Sequence, residues 1–206
     1  MNKLYFGVFI LVSLQLPAQA TGTVWQKNFS SNVQDFLSGM TPTADRQILL
    51  TGSSIQANPS LSVKNNTNSG YDYHVIKLAQ NGSVVWDKYF GGNQHDYLVS
   101  AVATLDGGFF LTGTSYSVQS GDKRVDNLGG SDIWMLRLDE NGEELWQKTV
   151  GTTSNVEAAT AVECADGGFF VAGSINSHRD LFGSKDVFFF QTGQKRKTGH
   201  ATYIKF

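Results

Sequence analysis

Acidic residues return at a fixed step along this chain of 206 residues. Asp35, Asp96 and Glu157 stand 61 residues apart, and Asp72, Asp132 and Asp186 form a second series. Carboxylates carried to one place by a repeating fold could form a ring that binds a cation or a polar ligand. The other reading is that each accepts local backbone N–H groups at the start of a strand. Tyr73, Trp134 and Phe188 also recur and could line a carbohydrate-binding face, although packing between repeats is the commoner use of such aromatics. Histidines stand at 74, 95, 178 and 200 without the H-x-x-x-H spacing of a metal site. The phosphate-loop, G-x-S-x-G and G-x-G-x-x-G patterns are missing as well. No catalytic set, metal site or cofactor is therefore expected.

Composition narrows the partners. The formal net charge of −2 gives no reason to expect nucleic acid or an anionic membrane as partner. The "KRK" at 195–197 reads as a solvated tail. Residues 1–20 have a basic n-region at Lys3, a short apolar run and an "AQA" cleavage site, the pattern of a secretory signal peptide. The apolar run is shorter than the roughly 20 residues a bilayer requires, so no stable membrane span is expected after cleavage. An exported protein follows, secreted, at the cell surface or in the periplasm. The lone cysteine, Cys164, excludes an internal disulfide and is expected to be buried as a small hydrophobe.

The elements that must position the acids are set by a repeat. Trp25, Trp86 and Trp146 lie 61 and 60 residues apart in "VWQKNF", "VWDKYF" and "LWQKTV". Gly52, Gly113 and Gly173 keep nearly the same step, and "HVIKLAQNGSVVW" matches "WMLRLDENGEELW". Three units follow, at about 22–82, 83–142 and 143–190, with an aberrant basic tail at 191–206. Each unit reads as four short strands, opened by the tryptophan strand. The 22 glycines against 3 prolines fit many turns and few helices.

The string DGGFF occurs at Asp106-Gly107-Gly108 and again at Asp166-Gly167-Gly168. Asp-Gly pairs predict type I′ hairpin turns, and paired phenylalanines predict a strand buried on both faces. The first unit has "TADRQILLTG" instead, which predicts a looser turn. Fold class is therefore all-β: tandem four-stranded antiparallel units forming an incomplete propeller or open arc.

Four-strand units with tryptophan and DGGF at fixed places resemble β-propeller blades. More narrowly, they are similar to the roughly sixty-residue repeats of secreted or surface proteins of Bacteroidetes-type bacteria. Those proteins often carry a C-terminal sorting domain for type IX secretion. "RLDENGEELW" is also similar to a turn of quinoprotein-like repeats, but no quinone-binding set accompanies it. The signal pattern, the repeats and the missing catalytic set lead to an exported, non-catalytic surface or secreted module for binding or scaffolding of an unknown protein or carbohydrate, and three units would leave exposed edges for self-association. The alternative is a fragment of a propeller enzyme acting on polysaccharide. The repeat pattern stops after Phe190, which predicts a truncated or frameshifted form of a longer protein.

Overall fold

In a computed structural model, the described residues are 22, 25–29, 34–55, 70–176 and 185–193. The signal-peptide reading of 1–20, the "KRK" segment, His178 and His200 fall outside them. Eleven strands and no helix occur among the described residues. They form three antiparallel sheets: β1 (Asp35–Pro42) to β4 (Val84–Phe90), β5 (Asp96–Ala103) to β8 (Glu144–Val150), and β9 (Val156–Glu163) to β11 (Lys185–Thr192). Within them, β2 is Ile48–Ile55, β3 Tyr71–Leu78, β6 Phe109–Ser115, β7 Asp132–Leu138 and β10 Phe169–Asn176. The sheets do not close on themselves.

The hydrogen-bonded sheets are cut one strand later than the repeat windows suggest. Trp86 and Trp146 lie on β4 and β8, so the tryptophan strand closes the first and second sheets rather than opening a unit. A repeat has no phase of its own, and pairing decides where a unit begins. The last strand also runs past Phe190 to Thr192.

Stacking of the sheets explains the alternation along β6. Phe109 and Leu111 face the first sheet, joining Leu49, Tyr73 and Val75 in one core with Trp134, Leu136 and Leu138. Phe110 faces the third sheet, with Ile133, Met135, Phe169, Val171 and Phe188. All seven residues of β6 are buried, as the doubled phenylalanine predicts. The second copy behaves differently, because its sheet is covered on one face only. Phe169 is 4 % exposed and Phe170 42 %.

The turns differ from expectation in type. Thr104 N–H donates to Gly108 O and Gly107 N–H donates to Thr104 O, each at 2.9 Å. Gly107 has φ of +90°, whereas Asp106 does not enter the positive-φ region. The loop is therefore a type I turn closed by a G1 bulge, not type I′. A three-residue loop needs only one left-handed residue, so Asp106 is released for other bonds. Its Oδ1 accepts from the Thr104 hydroxyl at 2.6 Å and from the Arg137 guanidinium of β7. Those two partners hold its carboxyl below the ordinary range.

The first unit has the same turn, not a looser one. Thr43 N–H donates to Gln47 O and Arg46 N–H to Thr43 O, both at 3.0 Å, with Arg46 at φ of +62°. A left-handed L-residue costs roughly 1–2 kcal/mol, which glycine avoids at some entropic cost. Arg46→Gly is expected to stabilise the chain by about 0.5–1 kcal/mol, read as a higher urea midpoint at unchanged slope. A lower midpoint would show that the arginine side chain compensates the strain.

Cys164 is half-buried, which corrects the fully buried placement expected of it. It ends β9's approach to a turn, and Gln191 Nε2 lies 3.8 Å from its Sγ.

Candidate functional site

The acids lie at one end of the sheets, in rows that cross three strands. Asp35 pairs with Ser54, which pairs with Asp72. In the second sheet the row is Asp96, Ser115 and Asp132. The third sheet breaks the series: its row is Val156, Ile175 and Asp186, and Glu157 pairs one residue further along, with Ser174. A shift of one residue reverses the face a strand side chain points to. Asp35, Asp96 and Glu157 are thus not equivalent in pairing, which corrects the expected ring. Asp35 is exposed, Glu157 half-buried, and Asp96 fully buried.

In the second sheet the row is closed by its own loop, residues 116–131. Asp96 Oδ2 accepts from Gly92 N–H at 2.7 Å and from the Ser117 hydroxyl at 2.8 Å. Asp132 Oδ2 accepts from the N–H groups of Leu128 and Gly129. Lys123 is fully buried beside them, and its Nζ donates to Ser117 O at 2.6 Å and to Asn127 Oδ1. Asn127 Nδ2 in turn donates to Ser115 O at 2.8 Å. Burial pushes the Asp96 carboxyl up, against the hydrogen bonds of Ser115, Gly92 and Ser117 and the charge of Lys123. This row holds its cation within the chain. Among the described residues no three His, Cys, Asp or Glu side chains converge as a metal site.

The enclosed ammonium has a measurable consequence. Burial lowers Lys123 to about 8, against the pull of Asp96, Asp132 and Asp126. The unfolded chain keeps this proton until about pH 10.4. Between about pH 8 and pH 10 the unfolded state therefore binds more protons at this group, so its contribution to stability rises with pH. Relative to Lys123→Met, the wild type is expected to gain about 2 kcal/mol across that window in urea titrations. A pH-independent difference would contradict the buried charge.

The three aromatic candidates are core residues. Tyr73 and Trp134 are 0 % exposed and Phe188 is 1 %. Tyr73 and Trp134 meet across the first and second sheets with ring centroids 4.9 Å apart, and the Tyr73 hydroxyl donates to Trp134 O at 3.0 Å. Phe188 packs in the core between the second and third sheets. None of them offers a face to a sugar. Inter-sheet packing is their use.

A different aromatic group does reach the surface, beside the same rows. Tyr71 lies 5.1 Å from Phe36, 5.5 Å from His95 and 5.5 Å from Tyr97, measured between ring centroids. His95 stacks on Tyr97 at 5.6 Å and 12°, and Tyr116 meets Tyr97 edge-on at 6.3 Å. Phe36 and His95 are exposed, and the three tyrosines half-buried. Polar groups fix the patch: Tyr71 N–H donates to His95 Nδ1 at 3.2 Å, and the Tyr71 hydroxyl to Gln34 Oε1 at 2.8 Å. With Nδ1 accepting, the neutral imidazole carries its proton on Nε2. Burial, with Tyr71 and Tyr116 nearby, raises the Tyr97 hydroxyl above its usual range.

No known protein family and no curated protein matches the chain. What the chain can do rests on this geometry. Five rings spread over two sheets, with a histidine N–H, phenol hydroxyls and a glutamine amide between them, suit a ligand having both apolar and hydroxyl faces. The sequence held one signal for the patch. Phe36 and Tyr97 directly follow the row acids Asp35 and Asp96, and Tyr71 directly precedes Asp72. Strand alternation puts such neighbours on the opposite face from the acids. His95, which directly precedes Asp96, and Tyr116, which directly follows Ser115 of that row, carry the same signal, and stacking of the two sheets brings His95 and Tyr97 beside Tyr71.

Proposed function

We propose that this chain is an exported, non-catalytic binding and scaffolding module that takes carbohydrate at the Phe36–Tyr71–His95–Tyr97–Tyr116 patch. The observation that carries the reading is the exposed aromatic patch itself. Pyranose rings present C–H faces that stack on aromatic rings, and hydroxyls that bond to the amide, imidazole and phenol groups between them. Mutual contacts among the rings, and the hydrogen bonds from Tyr71, hold the surface in place before any ligand arrives, which lowers the cost of binding. The enclosed Lys123 and buried acids next to it act as a rigid support. The stacked sheets are read as successive blades of an incomplete propeller or open arc, a reading supported by β5 packing along both β1 and β9. Export is supported by the sequence of residues 1–20.

The test is a glycan array followed by calorimetric titration of the best-bound oligosaccharide. Tyr71→Ala together with Tyr97→Ala is expected to weaken binding at least about tenfold, as loss of 1.4 kcal/mol would. Leu105→Ala, in the exposed turn at the far end of β5 and β6 from the acid row, is expected to leave binding unchanged. No glycan bound by the wild type, or equal affinity in the double variant, would overturn the proposal. Turnover of the bound sugar would overturn its non-catalytic part.

A further inference from the structure

We infer that copies of this chain assemble head to tail, with residues 25–29 of one copy serving as the fourth strand of the third sheet of the next. One contact occurs twice in the chain. Trp86 of β4 reaches the turn of the second sheet, its Nε1 donating to Glu140 O at 3.2 Å, and Lys88 pairs with Glu143 at 2.6 Å. Trp25 does the same to the first sheet. Its Nε1 donates to Gln80 O at 2.7 Å, and Lys27 Nζ donates to Gly82 O at 3.1 Å. Gln80 and Glu140 occupy the same place in their repeats, sixty residues apart. Residues 25–29 therefore stand to the first sheet as β4 stands to the second. They belong to none of the eleven strands, so they hold the place of a fourth strand whose sheet the described residues of this copy do not supply.

Among the described residues the third sheet lacks that strand. Its order is β11-β10-β9, with β11 at the edge where the other two sheets carry β4 and β8. Its open face matches a face that is covered elsewhere. Leu49 and Tyr73 of the first sheet, and Phe110 and Ile133 of the second, are each 0 % exposed against the following sheet. Their counterparts in the third sheet are Phe170 and Val187, 42 % and 52 % exposed. The receiving surface is open too. Leu37 is 73 % exposed, whereas Leu98, its counterpart on β5, is 2 % exposed. A donor edge, an open face and a receiving face are thus present on one chain at opposite ends of the stack. Only a second copy is needed to join them. Such a contact is heterologous and propagates into rings or filaments.

The register follows from β3 and β4, where Tyr73 pairs with Phe90 and Lys77 with Trp86. Val187 should lie opposite Phe29 of the next copy, and Gln191 opposite its Trp25. With Cys164→Ser as background, Phe29→Cys protein is mixed with Val187→Cys protein under mild oxidation. A disulfide-linked heterodimer is expected, and none when Leu145→Cys replaces Val187→Cys. Sedimentation of the untagged mature chain should show concentration-dependent oligomers. Phe170→Lys with Val187→Lys should weaken association at least about tenfold while leaving the circular dichroism spectrum unchanged. A monomer at all concentrations would overturn the inference, as would oligomers that form without the Phe29–Val187 link. The glycan test does not depend on either result.

Discussion

Trp134→Ala is expected to remove about 3–5 kcal/mol of stability, the usual cost of deleting a fully buried large aromatic. The side chain is 0 % exposed and lies where the first and second sheets meet. Its ring rests on Tyr73 at 4.9 Å, and its Nε1 donates to Gln147 Oε1 at 3.2 Å. The sheets cannot slide together to fill the space, because the inter-sheet distance is fixed by bonds on either side. Leu98 N–H donates to Ser53 Oγ at 2.9 Å, and Ser38 Oγ donates to Leu98 O. For a chain of this size the loss corresponds to a melting temperature lower by about 6–20 °C. Thermal and urea denaturation followed by circular dichroism would measure it. Trp134→Phe, which keeps a ring against Tyr73, should retain most of the stability. A loss under about 1 kcal/mol for Trp134→Ala would mean that the two sheets are not packed through this residue.

That core position also shows what the sequence could and could not reveal. The presence of strands was readable from tryptophan, glycine and Asp-Gly spacing, because those residues answer to local backbone requirements. Face and pairing were less readable. Tyr73 and Trp134 were grouped as recurring aromatics, yet Tyr73 directly follows Asp72 while Trp134 stands two residues after Asp132, and His74 holds the place of Trp134 in the aligned strings. Tyr73 and Trp134 therefore point from facing sheets toward each other instead of in the same direction. The turn type was misread for a related reason. An Asp-Gly pair fits both a two-residue and a three-residue loop, and only the pairing of Thr104 with Gly108 decides between them.

The candidate site was the least readable part. Its five rings come from positions 36, 71, 95, 97 and 116, each next to a row residue, but on two sheets whose stacking no local pattern shows. Lys123 was equally hidden. In the sequence it stands in a polar loop, where a lysine ordinarily points into solvent. Its burial depends on Ser117, Asn127 and two acids from separate strands arriving together. The repeat also conceals differences between units, since only the second sheet encloses a described loop over its acid row.

Gly113→Ala tests the recurring glycine, and its effect should approach that of the tryptophan. A Cβ at Gly113 would lie 2.0 Å from Tyr97 O, 2.6 Å from the Tyr73 hydroxyl oxygen and 2.8 Å from its Cζ. The nearest obstacle is backbone, in the strand β5 where pairing slips between Leu98 and Ser100. A β-bulge pushes a carbonyl toward the partner strand, and only a residue without Cβ leaves room for it. Moving that carbonyl would pull Leu98 away from Ser53 and Ser38, and would displace Tyr73 from Trp134. A loss on the order of 3 kcal/mol is expected, compared with less than about 0.5 kcal/mol for Gly193→Ala, which meets no atom within 4 Å. The same substitution at Gly52 provides the contrast. Its Cβ would meet Phe36 O at 2.0 Å, an equally close backbone contact, but β1 is exposed along most of its length. An outer strand can move into solvent, whereas β5 is held between two sheets. Gly52→Ala should therefore cost clearly less than Gly113→Ala. Equal losses at the two positions would show that the clash itself sets the cost, and not the confinement of the strand that must give way.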